Sequence, residues 1–179
     1  MASIRNDVEK VILSEEEIAS KVKELGDVIT KDYEGRNLLI VGILKGSCVF
    51  MTDLIRCIDL DCSIDFMRVS SYGSGTRSTG SINIELDLRC PIKDYDVLIV
   101  EDIIDSGLSL SYLIKLLKDR NPKSLNVCVC FDKPERRKKE VETKYTGFVI
   151  PDEFVVGYGL DVAEKFRQLD SLYSVKAIG

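Results

Sequence analysis

The stretch Val97-Leu-Ile-Val-Glu-Asp-Ile-Ile-Asp-Ser-Gly-Leu-Ser-Leu110 joins a short apolar run to three acids and a turn of serine and glycine. Its first four residues, Val97–Val100, form a short apolar run, mostly β-branched, that favours a strand buried on both faces. Two acids, Glu101 and Asp102, stand where we expect this strand to end. A third acid, Asp105, opens the turn, and leucines then recur at helical spacing. The stretch therefore predicts a strand, an acidic edge, a small loop and a helix.

The chemistry of this unit suits an anionic ligand. In open α/β sheets, ligands bind at the carboxyl ends of the strands. Backbone N–H groups at a helix N-terminus attract phosphate. Carboxylates beside such a loop can hold ribose hydroxyls or a hard metal ion. We therefore expect a phosphate-binding loop flanked by carboxylates.

Composition excludes several function classes. A chain of 179 residues can bury a full core, and no apolar run approaches the roughly 20 residues that span a bilayer. The absence of histidine excludes His-based triads, histidine metal ligands and a histidine general base. A formal net charge of −5 argues against binding nucleic acid by charge alone. The first residues do not resemble a signal peptide, so we expect a cytoplasmic protein. The six cysteines form no Cys-x-x-Cys pair, so we expect reduced, mostly buried thiols.

The rest of the chain predicts strands that alternate with helices. A capping box at Ser14 precedes an amphipathic helix to about Tyr33, and the apolar run Leu38–Leu44 predicts a buried strand with a helix after it. Further strands are predicted over 63–71, 81–88, 124–131, 145–150, 154–160 and 172–178, the last as a closing edge strand. This alternation predicts one α/β domain over residues 1–179, with a Rossmann-like parallel sheet flanked by helices.

Other glycine-rich segments are less specific. The loop Lys45-Gly46-Ser47 suits an anion because glycine lets the backbone approach and lysine adds charge, although many loops between strand and helix share this composition. Gly73-Ser-Gly75 begins like a dinucleotide-binding loop, but Ser78 replaces its third glycine and no helix is predicted to follow. The P-loop pattern Gly-x-x-x-x-Gly-Lys-Ser/Thr is absent from the sequence. We therefore exclude a dinucleotide-binding loop and a P-loop NTPase.

The stretch 97–110 resembles the phosphoribosyl pyrophosphate (PRPP) motif of type I phosphoribosyltransferases. In that motif an apolar strand runs into two acids, two apolar residues and then Asp-Ser/Thr-Gly-x-Ser/Thr. Three further segments resemble 6-oxopurine phosphoribosyltransferases, and these are Leu44–Ser47, Asp132–Arg137 and Phe154–Asp161. The resemblance covers nearly all of the chain after about residue 36. It implies the type I phosphoribosyltransferase fold, with a small hood subdomain and a flexible lid loop.

This resemblance implies transfer of the 5-phosphoribosyl group from PRPP to hypoxanthine, guanine or both, with release of pyrophosphate. The implied PRPP- and phosphate-binding residues are Lys45, Gly46, Glu101, Asp102, Ile104, Asp105, Ser106, Gly107, Leu108, Ser109 and Arg167. In the family, the aspartate that matches Asp105 is proposed to take the purine N7 proton, so Asp105 is the candidate catalytic residue. Serine at 106 and 109 keeps the hydroxyl donor where the family often prefers threonine.

The resemblance also implies a purine site, a lid and a magnesium ion. Lys133 would donate to the purine 6-oxo group, Phe154 would stack on the base, and Val155 would present backbone atoms to its edge. The implied purine-binding residues are Lys133, Phe154, Val155 and Asp161, the lid residues are Ser71 and Tyr72, and the Mg²⁺ ligands are Glu101, Asp102 and Asp161. Val162 stands where the family commonly has tyrosine, which leaves the metal ligand before it in place. Homodimers or homotetramers are expected, without nucleic-acid or membrane partners.

Two other function classes stay open at this level. A PRPP-sensing regulatory protein keeps the PRPP motif but typically has a basic face or a DNA-binding domain. The only dense basic patch of this chain is Lys133–Lys139. A transferase for adenine, xanthine or a pyrimidine is the other class, and Lys133 and Phe154 favour a 6-oxopurine over it. The sequence does not predict the preference among hypoxanthine, guanine and xanthine.

Overall fold

The computed structural model describes residues 8–71 and 82–175. These residues form two sheets and three α-helices, with a 3₁₀ turn at Pro134–Arg136. The strands are β1 (Lys10–Leu13), β2 (Leu38–Leu44), β3 (Cys62–Ser71), β4 (Ile82–Leu86), β5 (Asp96–Ile104), β6 (Ser124–Asp132), β7 (Tyr145–Val149), β8 (Val155–Val156) and β9 (Leu172–Ser174), and the helices are α1 (Glu15–Asp32), α2 (Cys48–Arg56) and α3 (Leu108–Lys118).

The larger sheet has six strands in the order β4-β3-β2-β5-β6-β7. All neighbours are parallel except β4, which pairs antiparallel with β3. Helices α1 and α2 cover one face of this sheet, and α3 covers the other. Because side chains of a strand alternate between the two faces, successive residues of β2 and β5 lie in opposite hydrophobic cores. Val97 to Val100 are completely buried. The predicted α/β architecture is confirmed.

Helix α1 begins at the capping box that its sequence predicts. Ser14 Oγ accepts a hydrogen bond from the N–H of Glu17 at 3.2 Å, and the Glu17 carboxylate accepts one from the N–H of Ser14 at 2.8 Å. This capping box satisfies two N–H groups that have no partner within the helix.

Among the described residues, no helix is long and apolar enough to cross a membrane.

The smaller sheet, in the order β1-β9-β8, stands beside the larger one and matches the expected hood. Two strand predictions are wrong here. The segment 154–160 forms a strand only at β8, because Gly157, Tyr158 and Gly159 adopt φ values of 98°, 48° and 96°, which end an extended conformation. The predicted closing edge strand over 172–178 is described only as far as residue 175, and there β9 is the middle strand, paired with β1 and β8 on either side.

The strand of the opening stretch is longer than predicted. The apolar run predicts an end at Val100, whereas β5 continues through both acids to Ile104. The cause is β6, which stays in parallel register with β5 as far as the pair Ile104 and Asp132. Glu101 and Asp102 are therefore ladder residues rather than the first residues of a loop.

All six cysteines lie in the described part of the chain, and all are free thiols. Cys128 and Cys130 are buried in the centre of β6, as predicted. The prediction of burial is wrong for Cys48 and Cys90, which are exposed at the start of α2 and in the turn before β5.

Candidate active site

The loops after β2 and β5 are in direct contact at the carboxyl edge of the sheet. The two strands are neighbours, so Lys45-Gly46 and the acidic edge emerge side by side. A Cβ atom at Gly46 would overlap the carboxylate of Asp102, and one at Gly159 would collide with the Gly46 carbonyl oxygen. Gly159 also adopts a positive φ of 96°. Only glycine at both positions lets these segments approach so closely.

The two acids of the edge point in different directions, as neighbouring strand residues must. Glu101 lines a small cavity formed with the start of α3, whereas Asp102 faces Gly46. Burial raises the pKa of Glu101 well above its usual value, and the neighbouring Asp102 carboxylate raises it further. Burial also raises the pKa of Asp102 to about 6, although the Ile103 N–H donates to its Oδ1 at 2.8 Å. A cation or hydroxyl donors would offset the cost of keeping both carboxylates ionised.

The cavity beside Glu101 lies at the loop for which the sequence predicts phosphate binding, and this loop is called the phosphate loop below. Its volume is about 150 Å³, and it is lined by Glu101, Ile103, Ile104, Asp105, Ser106, Gly107, Ser109 and Leu110. Helix α3 follows its N-cap residue Gly107, which has a φ of 76° and offers no side-chain cap. The N–H groups of the first turn beyond Leu108 are therefore available to an anion. Leu108 is exposed and lies outside this lining, and its N–H donates to Ser106 Oγ at 3.4 Å.

The basic run after β6 folds back over this loop. The backbone N–H groups of Lys138 and Lys139 donate to the Ser106 carbonyl oxygen at 2.9 and 3.0 Å. Arg137 is largely buried and pairs with Asp132. The run is therefore part of the wall of the phosphate loop and not only a solvated charge cluster.

Asp105 ends the acidic edge beside the purine-side residues. Its Oδ1 is buried and has no hydrogen-bond partner among the described residues, whereas its Oδ2 lies 3.6 Å from Nη1 of Arg136. Lys133 is buried, and its backbone N–H donates to the Ile104 carbonyl oxygen at 2.9 Å. The structure thus places the candidate base and the candidate purine-binding lysine at adjacent strand ends.

Glu153 links Lys133 to Phe154, because Lys133 contacts its carbonyl oxygen and Phe154 is the next residue in the chain. Nζ of Lys133 donates to the Glu153 carbonyl oxygen at 2.5 Å, and burial lowers the pKa of Lys133. Phe154 follows directly and is 52% exposed, while Val155 is buried in β8. An exposed aromatic ring beside a fixed N–H donor suits a flat heterocycle, because one group stacks and the other donates.

A charged network lies on the other side of Asp102. Nη2 of Arg167 lies 2.7 Å from Asp161 Oδ1 and 3.6 Å from Glu164 Oε1. Nζ of Lys45 contacts Glu164 Oε2 at 2.8 Å. Arg167 also donates from Nη1 to the Gly159 carbonyl oxygen at 2.8 Å. The two cations predicted to meet phosphate groups, Lys45 and Arg167, are thus brought together and paired with carboxylates.

The structure does not gather the three predicted metal ligands into one cage. Within residues 8–71 and 82–175, no group of three acids or cysteines is placed to hold a metal ion on protein ligands alone. Asp161 nevertheless lies close enough to Asp102 to raise the pKa of Asp102. Of the two lid residues, Ser71 ends β3, and Tyr72 lies outside the described residues.

Three contacting residues were not predicted from the sequence. Arg136 and Glu164 reach their partners only through the tertiary fold, so no local pattern points to them. Gly159 has a weak local signal, because closely spaced glycines in an apolar run often mark a close backbone approach. Val162, which replaces the tyrosine common in the family, packs against the small apolar cluster around Val156 and leaves Asp161 free to contact Arg167.

Comparison with known proteins agrees with this geometry. The family model of the phosphoribosyl transferase domain matches residues 10–163. The hypoxanthine-guanine phosphoribosyltransferase of Staphylococcus aureus (strain Mu50) is 51% identical over 173 residues, which cover 97% of each chain. The bifunctional protein TilS/HprT of Listeria monocytogenes is 53% identical over 167 residues, 93% of this chain but only 26% of that protein.

The chain thus spans about a quarter of the length of the Listeria relative. Among solved structures, a hypoxanthine phosphoribosyltransferase from S. aureus superposes with a TM-score of 0.94 at 51% identity, covering 98% of this chain and 96% of that one. The fold is the type I phosphoribosyltransferase fold. The chain therefore belongs to the phosphoribosyltransferase family, in its hypoxanthine-guanine branch.

Proposed function

We propose that this chain is a purine salvage enzyme that transfers the 5-phosphoribosyl group from PRPP to hypoxanthine, guanine or both, giving the nucleoside monophosphate and pyrophosphate. The observation that carries the proposal is one edge of the sheet, formed by the start of α3, two partly buried acids, the buried Lys133 and the exposed Phe154. An anion site and a flat-base site thus adjoin each other. The S. aureus relative is named for the same two purines, which supports this assignment.

PRPP is held, in this proposal, by the two loops that meet at Gly46. The 5-phosphate occupies the Ser106–Ser109 loop, where N–H groups and hydroxyls donate to its oxygens. The pyrophosphate lies at the loop after β2, near Lys45 and Arg167. Because those cations are paired with Glu164 and Asp161, the incoming pyrophosphate must exchange these carboxylates for its own oxygens.

The purine is held between Phe154 and the end of β6. Phe154 stacks on the ring, Val155 contributes backbone atoms, and Nζ of Lys133 turns from the Glu153 carbonyl oxygen to the purine 6-oxo group. Asp105 is the general base, and its partnerless Oδ1 accepts the N7 proton as the base attacks the ribose carbon. Asp, Glu, Lys, Tyr and Cys are the available proton carriers, since the sequence has no histidine.

Magnesium fits this site as a cation that is shared with the substrate. Mg²⁺ takes one or two carboxylates and completes its shell with waters and phosphate oxygens, so the lack of a three-acid cage in the described residues is compatible with it. Glu101 Oε2 is buried and has no hydrogen-bond partner in that part of the chain. Glu101, Asp102 and Asp161 would hold the ion, or Glu101 and Asp102 would hold the ribose hydroxyls. When bound, the ion would neutralise charge on the departing pyrophosphate.

The remaining expectations concern the whole protein. We propose that residues 1–179 act as one domain in the cytoplasm and that Ser71-Tyr72 close over the bound substrates as a lid. A homodimer or homotetramer is expected, with small-molecule substrates as the binding partners and neither nucleic acid nor membrane among them.

A base-panel assay tests the proposed function. The protein is given PRPP and Mg²⁺ with hypoxanthine, guanine, xanthine, adenine or uracil, and both pyrophosphate and nucleotide are measured. We expect turnover with hypoxanthine, guanine or both, and none with adenine or uracil. Pyrophosphate release with adenine or uracil alone would overturn the choice of base. PRPP binding without turnover on any base, together with RNA retention on a filter, would support a PRPP-sensing regulator instead.

A further inference from the structure

We infer that Arg136 is a positioning residue, which holds one oxygen of Asp105 so that the other faces the purine. The inference rests on the proposed function, because it assigns a partner to the proposed general base. Arg136 does not belong to the predicted PRPP, purine or metal sites, and its contacts are visible only in the folded chain.

The two carboxylate oxygens of Asp105 differ in their surroundings. Nη1 of Arg136 lies 3.6 Å from Oδ2, whereas Oδ1 is buried and has no hydrogen-bond partner among the described residues. A carboxylate that is anchored through one oxygen cannot rotate freely about its last bond. The remaining oxygen then keeps its direction, which is what a proton acceptor within hydrogen-bond reach of N7 requires.

Arg136 also contacts the wall of the purine site. Its Nε lies 3.3 Å from Oδ1 of Asp152, which precedes Glu153, whose carbonyl oxygen accepts from Lys133. Its backbone N–H donates to the Lys133 carbonyl oxygen at 3.3 Å, within the 3₁₀ turn. One guanidinium group therefore bridges the candidate base and the segment that leads to Phe154. A planar fork of donors can hold two carboxylates at once, which a lysine ammonium at the end of a flexible stem does poorly.

The exposure of these ion pairs predicts that the loss of Arg136 affects turnover rather than folding stability. Arg136 and both of its carboxylate partners are between 40% and 50% exposed, so the ion pairs add little to folding stability. Catalytic hydrogen bonds are often long in ligand-free proteins and tighten when substrate binds. We therefore expect the loss of Arg136 to lower turnover while the melting temperature and PRPP binding stay nearly unchanged.

A double-mutant cycle between Arg136 and Asp105 tests the inference. Arg136→Gln is expected to lower kcat at least about fivefold, with the KM for PRPP within about twofold of the original value. In an Asp105→Asn background the same change should alter kcat by less than about twofold, because the base on which Arg136 acts is already lost. Arg89→Gln is the matched control, since the Arg89 guanidinium forms no hydrogen bond or ion pair with any described residue.

Each other outcome overturns a defined part of this account. An equal fold-loss from Arg136→Gln in both backgrounds overturns the positioning role while the proposed function stands. An Asp105→Asn variant as active as the original chain overturns both the base and its partner. A chain without any turnover overturns the proposed function and the inference together. If Arg136→Gln does not fold, Asp152→Asn releases one arm of Arg136, and its smaller kcat loss should likewise vanish in the Asp105→Asn background.

Discussion

Asp105 is the residue on which the proposed proton transfer depends. Its Oδ1 is buried and, like Oε2 of Glu101, lacks a hydrogen-bond partner among the described residues. We predict that Asp105→Asn lowers kcat at least about tenfold, because general-base help is typically worth about 10²–10⁴-fold. Steady-state kinetics with hypoxanthine and a thermal melt of the same sample measure the effect. An unchanged kcat, or a variant that loses activity only by unfolding, would remove Asp105 from this role.

Lys133 gives a second prediction for a single residue. Its Nζ donates to the carbonyl oxygen of Glu153, the residue before Phe154, in the proposed purine site. Lys133→Ala should therefore raise the KM for hypoxanthine at least about tenfold, the cost of a hydrogen bond from a charged group, and should change the KM for PRPP much less. Lys138→Ala, at an exposed position of the same basic run, controls for the loss of one positive charge. Equal increases in both KM values for Lys133→Ala would contradict its assignment.

The loop residues of the candidate site could be predicted from the sequence, but the residues that they contact could not. The loop between β5 and α3 and the position of Lys133 after β6 follow from the predicted strand ends, because short loops between strand and helix are positioned by the two elements that they join. Arg136 and Glu164 contact residues on loops far along the chain, so their roles depend on how several loops meet.

The contact between the loop after β2 and the segment after β8 shapes the pyrophosphate side of the site. Gly159 combines a positive φ with a Cβ position already filled by the Gly46 carbonyl group, whereas Gly35 has a φ of 71° and open space around it. Alanine at either position would be strained by the positive φ, but only Gly159→Ala also forces the two loops apart. We predict that Gly159→Ala lowers the free energy of unfolding by about 1–3 kcal/mol more than Gly35→Ala does.

Denaturation and kinetics separate these two variants. Because Gly159 touches the loop that carries Lys45, its substitution should also raise the KM for PRPP, and Gly35→Ala should leave that KM unchanged. Equal stability losses with equal KM values would show that the close approach of the two loops has no role in binding.

Strands that are buried on both faces were the easiest elements to predict. Strand β2 matches its predicted bounds because both of its faces are covered, so its apolar run starts and stops with burial. Strand β5 exceeds its prediction because pairing with β6 extends past the apolar residues. The small sheet was predicted least well, because β1, β9 and β8 are distant in sequence and are stabilised by one another rather than by local pattern.

The acidic edge lowers the stability of the whole ligand-free fold. The pKa of Asp102 is raised by burial to about 6, so the folded state favours the protonated acid. That stabilising contribution is complete below the unfolded pKa, near 4, and is lost as pH rises through about 6. Asp102→Asn should therefore raise the free energy of unfolding at about pH 7.5, by on the order of 1–3 kcal/mol, and the gain should shrink towards pH 5.

Chemical denaturation in EDTA at both pH values measures this gain, since a bound cation would otherwise offset the carboxylate charge. Asp61→Asn, at an exposed acid, is the control and should change stability at neither pH. A loss of stability in Asp102→Asn of the same size at both pH values would contradict a raised pKa at this position.

We propose that one edge of the sheet joins PRPP to a 6-oxopurine. The most direct test is the stoichiometry of product formation when the chain is mixed with PRPP, Mg²⁺ and hypoxanthine, with nucleotide and pyrophosphate quantified in the same sample. We expect equal amounts of inosine monophosphate and pyrophosphate, with neither formed when hypoxanthine is left out. Pyrophosphate without the nucleotide, or neither product although PRPP binds, would contradict it.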